Sequence, residues 1–138
     1  MKTRLLLSVF VLASAAHAFN ASGQRWSAGE VRFQLALPPP TTALSDGSGS
    51  WNAVIEDAMA IWNSNVSAVR LAATRDSAAA VGEGNGVNNL LFSTTVYGTT
   101  WGSRVLGITL QRYDPRSSRY SEADVLFNST ARWDSYRG

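Results

Sequence analysis

The stretch SWNAVIEDAMAIWNSN, residues 50–65, decides the fold class. Trp51, Val54, Ile55, Ala58, Ile61 and Trp62 recur at the spacings of an amphipathic helix of about four turns. Ser48 or Ser50 precedes it as a candidate N-cap, since a serine hydroxyl accepts from an unpaired N–H of the first turn. The spacing predicts that this stripe, both tryptophans included, packs as core against a sheet. Asn52, Glu56, Asp57 and Asn63 are expected on the opposite side.

Strands are predicted on both sides of the helix. In VRFQLAL, residues 31–37, Val31, Phe33, Leu35 and Leu37 alternate with Arg32, Gln34 and Ala36, the period of two of a half-buried strand. Pro38-Pro39-Pro40 stops it, because proline offers no ladder donor, and TTALSDGSGS follows as a loop with turn chemistry at Asp46-Gly47. Beyond the helix, four further segments read as strands: Val69 to Thr74, Leu90 to Tyr97, Val105 to Tyr113 and Ala123 to Asn128. Strand, helix, then four strands predicts one mixed sheet with a helix on one face.

Lys2 and Arg4, the apolar run Leu5 to Ala16 and the small-x-small site Ala16-His17-Ala18 form a cleavable secretory leader. The expected division is residues 1–18 as signal peptide and 19–138 as one domain, secreted to the exterior or periplasm and free of the membrane after cleavage. The 138-residue chain has twelve basic and ten acidic residues; Lys2 and Arg4 leave with the leader, so ten of each remain. The remaining cations are arginines without a basic cluster, which argues against a nucleic-acid partner. There is no cysteine, and the one histidine is His17 in the leader. A Ser-His-Asp triad, a Cys-His pair and an ordinary zinc site therefore have no donors within the mature segment.

The glycines of VGEGNGVNN, residues 81–89, fit neither a dinucleotide fingerprint nor a P-loop, and read as a flexible loop. Asn20, Asn65 and Asn128 begin glycosylation-type triplets, relevant only in a eukaryotic secretory route. A five-stranded sheet is wider than one helix of this length covers, so either its second face is solvated or another element completes it. The expectation is that the chain stops before a second helix.

The blocks RWSAGEVRFQLAL, SDGSGSWNAVIEDAMAIWNSN, GEGNGVNNLLFS, TTWGSRVLGITLQRY and YSEADVLFNSTARWDSYRG together resemble the N-terminal half of a secreted bacterial matrixin-like metallopeptidase of the metzincin class. The resemblance implies an α+β fold with α/β-like layering: a mixed, mostly parallel, twisted five-stranded sheet with one packed helix, an incomplete metzincin-type N-terminal subdomain. It implies a zinc-dependent endopeptidase whose H-E-x-x-H-x-x-G-x-x-H motif holds the zinc. That motif is not in this sequence, so the zinc ligands and the catalytic glutamate are expected beyond Gly138 and the chain alone is expected to be inactive.

By the same resemblance, Leu106, Gly107, Ile108 and Thr109 match the family's antiparallel edge strand, which rims the cleft and pairs with a protein or peptide substrate bound as an extended strand. Gly107 fits either close backbone approach or a bulge. Asp124 to Asn128 with Trp133 keep the spacing of a metal-binding strand of animal matrixins. Leu126 stands where a structural-zinc histidine would be, and Asn128 where a calcium-binding aspartate would be. Asp124 and Asn128 are thus weak calcium candidates, with a solvated or turn-capping role expected for Asp124. The domain is expected to act as a monomer.

Two other classes fit the composition. A complete secreted β-rich binding module would use Trp101, Trp133 and Tyr136 to stack on carbohydrate or grip a peptide. A non-catalytic cell-surface domain would need no site at all.

Overall fold

The computed structural model describes residues 22–136; the leader and Asn20 lie outside them. The elements are β1 (Gly29–Ala36), α1 (Trp51–Asn65), β2 (Val69–Thr74), β3 (Asn88–Ser93), β4 (Gly107–Asp114) and β5 (Arg119–Asn128). They form one five-stranded sheet in the order β2-β1-β3-β5-β4. The β1–β2, β1–β3 and β3–β5 pairs are parallel, and β4 joins β5 antiparallel at the edge. This is the expected α+β architecture with a mixed, mostly parallel sheet. Among the described residues, no helix is long and apolar enough to cross a membrane.

The period of two in β1 divides the sheet into faces. Val31, Phe33 and Leu35 are buried on one side and share it, by register, with Leu71, Ala73, Leu90, Phe92, Val125 and Phe127. Met59 of α1 joins Val31, Phe33, Leu35 and Leu90 in the core, and Ile55 packs against it. Complete burial of Leu35 contributes about 1.5–3 kcal/mol. The helix begins at Trp51 because Ser50 Oγ accepts the Ala53 N–H at 3.2 Å, which identifies Ser50 as the cap.

The rotation of α1 differs from the expectation. Asn52 and Met59 are its buried residues, while Ala58, Ile61 and Trp62 of the expected core stripe are exposed. Three polar tethers on one side of the helix explain this. Asn52 donates to Asp76 Oδ1 at 3.1 Å, Glu56 pairs with Arg75, and the Asn63 amide both accepts the Leu71 N–H at 2.7 Å and donates to the Leu71 carbonyl at 2.8 Å. At about 100° per residue, these tethers turn the 52/59/63 side to the sheet and leave the 51/54/58/61/62 stripe beside it. The apolar arc of α1, from Ile61 round to Met59, is therefore roughly 160° wide, well over what one contact needs.

The other sheet face carries Asn89, Leu91, Glu122, Asp124, Leu126 and Asn128, all buried. Loops cover it. The expected strand through Tyr97 stops at Ser93, because Tyr97 and Gly98 both adopt positive φ and close a two-residue hairpin in which Val96 and Thr99 exchange both backbone hydrogen bonds. The glycine-rich loop is held rather than free: Glu122 Oε1 and Oε2 accept the Gly84 and Gly86 N–H groups, each at 2.6 Å. Both glycines have positive φ, and a Cβ at Gly84 would lie 2.8 Å from the Arg112 guanidinium carbon.

Candidate functional site

The two edges of the sheet are treated differently. At the β2 edge, the Asn63 amide occupies both backbone groups of Leu71, as a neighbouring strand would. At the β4 edge, no strand among the described residues pairs. Leu106 O accepts the Asn128 N–H at 2.7 Å, and the register continues through Ile108↔Leu126 and Leu110↔Asp124. In an antiparallel ladder alternate residues bond to the partner, so Gly107, Thr109 and Gln111 direct their N–H and C=O groups outward. Of the four residues expected to bind substrate, Gly107, Ile108 and Thr109 lie on this open strand and Leu106 immediately precedes it.

Gly107 is explained by close approach. A Cβ there would stand 3.1 Å from the Leu126 carbonyl oxygen, while the irregularity in the β4–β5 register falls at Arg112/Tyr113. Gln111 continues the outward row, and period-two reading of ITLQ was the signal for it.

An apolar groove lies on the helix side of the sheet. Leu37, Trp51, Val54, Ile55, Phe92, Phe127 and Trp133 line a space of about 180 Å³ that shares Trp51, Phe92 and Trp133 as walls with a neighbouring cleft of about 470 Å³ bounded by Pro38–Pro40 and Arg132. Its rings are closely packed: Phe92 lies 5.4 Å from Trp51 and from Phe127, and Trp133 lies 5.0 Å from Phe127. On the outer flank of α1, Ile61 and Trp62 are 67% and 61% exposed. Among the described residues α1 is the one helix; it reaches β3 through Met59 and Trp51, and no helix is seated over β5 and β4. The sequence hid the groove because its tryptophan-rich stripe carries the same periodicity as a core contact.

The segment after β5 is fixed to the loop before α1. Ser45 donates through its backbone N–H at 2.9 Å and through its hydroxyl to the Asp134 carboxylate, and the Asp46 N–H donates to Ser135 O at 3.0 Å. The two Ser45 bonds, led by the hydroxyl, hold the Asp134 carboxyl below the ordinary carboxylate range.

The residues present do not fit a zinc or calcium ion. Among the described residues, no three His, Cys, Asp or Glu side chains converge as a metal-holding group. Asp124 is fully buried rather than solvated: Oδ1 accepts the Asn89 N–H at 2.8 Å and Oδ2 accepts the Tyr97 hydroxyl at 2.9 Å. The Tyr97 phenol is pushed well above its ordinary value, first by burial and then by its bond to Asp124. Asn128 Oδ1 accepts from the Thr130 N–H at 3.0 Å and the Thr130 hydroxyl at 2.7 Å, while Nδ2 donates to Val105 O at 3.0 Å. Both candidates thus spend their oxygens on protein donors.

The aromatic residues considered for stacking do not form one exposed platform. Trp101 and Trp133 are half-buried and donate their indole N–H groups to Ser93 O and Asn128 O, whereas Tyr136 is 80% exposed. Comparison with protein-family models, curated proteins and solved structures returned no match.

Proposed function

We propose that this chain is the substrate-holding N-terminal portion of a secreted, zinc-dependent endopeptidase of matrixin-like kind, in which β4 receives an extended protein or peptide substrate. One observation carries the reading: the open edge begins beside the apolar groove. Gly107 stands opposite Phe127, and Phe127 lines the groove with Phe92, Trp51 and Trp133. A peptide that adds to β4 uses main-chain hydrogen bonds for affinity, and its backbone passes the groove mouth.

The β5–β4 part of the sheet, over which no described helix is seated, and the free stripe of α1 supply an apolar bed for a helix from outside the described residues. That helix is where this reading puts the zinc ligands, since the described side chains of this chain do not assemble a donor set. No chemical step is assigned to residues of this chain; their work is to hold and align the scissile segment. The Lys2–Ala18 leader supports export.

Paired hydrolysis assays test the reading. The purified 138-residue chain with added zinc is expected to leave an unfolded protein substrate intact. The polypeptide extended through the codons following Gly138 is expected to cleave it and to lose that activity to a chelator. Chelator-sensitive cleavage by the 138-residue chain, or none by the extended one, contradicts the proposal.

A further inference from the structure

The two faces of the open strand differ in chemistry. Ile108, Leu110 and Arg112 project to the loop-covered face, by register with Leu126, Asp124 and Glu122. Leu106 belongs to the same row, since its carbonyl accepts from Asn128. Leu106 is 57% and Ile108 36% exposed, an unusual pair of apolar side chains to leave bare on an unpaired edge, where they invite strand association. The opposite row is Gly107, Thr109 and Gln111, small or polar and facing the groove side. Arg112 ends the apolar row and is held toward Glu83.

We infer that the β4 edge selects extended peptides with apolar side chains at alternate positions, i and i+2, seated against Leu106 and Ile108. This rests on the proposed role of β4 as the substrate-pairing strand and adds the pattern that the strand reads. Side chains of an added strand alternate between faces, so residues i and i+2 lie over the Leu106–Ile108 row while residue i+1 passes over Gly107. Gly107 itself presents no side chain to that middle position, so the side chains that β4 itself offers for apolar contact are the two flanking ones, Leu106 and Ile108. The Asn63-blocked β2 edge offers no such site. Cross-strand apolar pairs are individually modest; a peptide with adjacent apolar residues still seats one of them on the row, so the alternating pattern gains one pair, a preference of about two- to threefold.

The test uses the purified chain and two peptides of identical composition. One carries two valines separated by serine within a Ser/Thr background; the other carries the valines adjacent. Amide shifts of Gly107, Thr109 and Gln111 are followed on titration. The alternating peptide is expected to bind about two- to threefold more tightly, and Ile108→Thr or Leu106→Thr, each keeping a β-compatible residue on the exposed strand, is expected to remove the preference. An unchanged spectrum away from β4 shows that each variant is folded. Equal binding of both peptides at these amides overturns the inference while leaving strand pairing at β4 intact. Absence of shifts at these amides with either peptide overturns the pairing role and the inference with it.

Discussion

Glu122→Gln is the most informative change to the fold. Glu122 is buried, and each of its carboxylate oxygens accepts one backbone N–H, from Gly84 and from Gly86, at 2.6 Å. Glutamine keeps the shape and replaces one oxygen with an NH₂ group, so one of the two N–H groups then meets a donor. The bond that remains falls from charge-assisted to neutral strength, a loss of about 1 kcal/mol, and the one that is lost costs about 2 kcal/mol because its donor stays unpaired. Relief from burying a charge opposes these losses. It does not cancel them, because both N–H groups are aimed at the carboxylate. The loop cannot retreat freely either, since Gly84 lies against the Arg112 guanidinium. The net expectation is a destabilisation of about 2–3 kcal/mol. Urea unfolding followed by tryptophan fluorescence reads this as a midpoint lowered by about 1–2 M at unchanged slope. Exchange of the Gly84 and Gly86 amides should accelerate in parallel. A change below about 0.5 kcal/mol, with those amides still protected, refutes the clamp.

Ile61→Lys together with Trp62→Lys should raise the concentration up to which the isolated chain stays soluble and monomeric, measured by sedimentation, and shift its stability by less than about 0.5 kcal/mol, because both side chains are exposed. Asn63→Ala removes two bonds to Leu71 and should cost about 1–2 kcal/mol in urea, while opening the β2 edge to strand pairing detectable as concentration-dependent aggregation. The Asp134 anchor should respond to acid. Its folded pKa lies below the ordinary 3.8, so the unfolded chain takes the proton first; the stabilisation is full above that value and is lost as pH falls through the lowered one. Amide shifts of Ser45 and Asp46 should stay constant from pH 7 to 5 and move together only below about pH 4. Movement above pH 5 would contradict the assignment.

The legible parts of this fold were those in which local period and burial agree. Val31, Phe33 and Leu35 alternate in sequence and in burial, and Val69 to Thr74 is a strand over the expected residues. The helix from Trp51 to Asn65 and the strand on which Gly107 to Thr109 lie were likewise readable. The rotation of α1 was not, since periodicity locates an apolar arc but does not say which part meets the sheet. Long-range polar bonds from Asn52, Glu56 and Asn63 decide that. Asp124 looked like a solvent or ion-facing carboxylate because its partners, Asn89 and Tyr97, come from other segments. Tyr97-Gly98 was legible in principle, as a glycine-containing pair able to adopt positive φ. The continuous run of branched and aromatic residues around it concealed the turn.

Hydrogen exchange at the Thr109 amide tests the central claim most directly, comparing the chain alone with the chain in excess extended peptide. The account predicts fast exchange in the free chain, because that N–H faces outward from an unpaired edge, and marked slowing with peptide, shared by Gly107 and Gln111 and absent from Leu71 at the β2 edge. Peptide binding that leaves Thr109 exchange unchanged would show that β4 is not the strand a substrate joins.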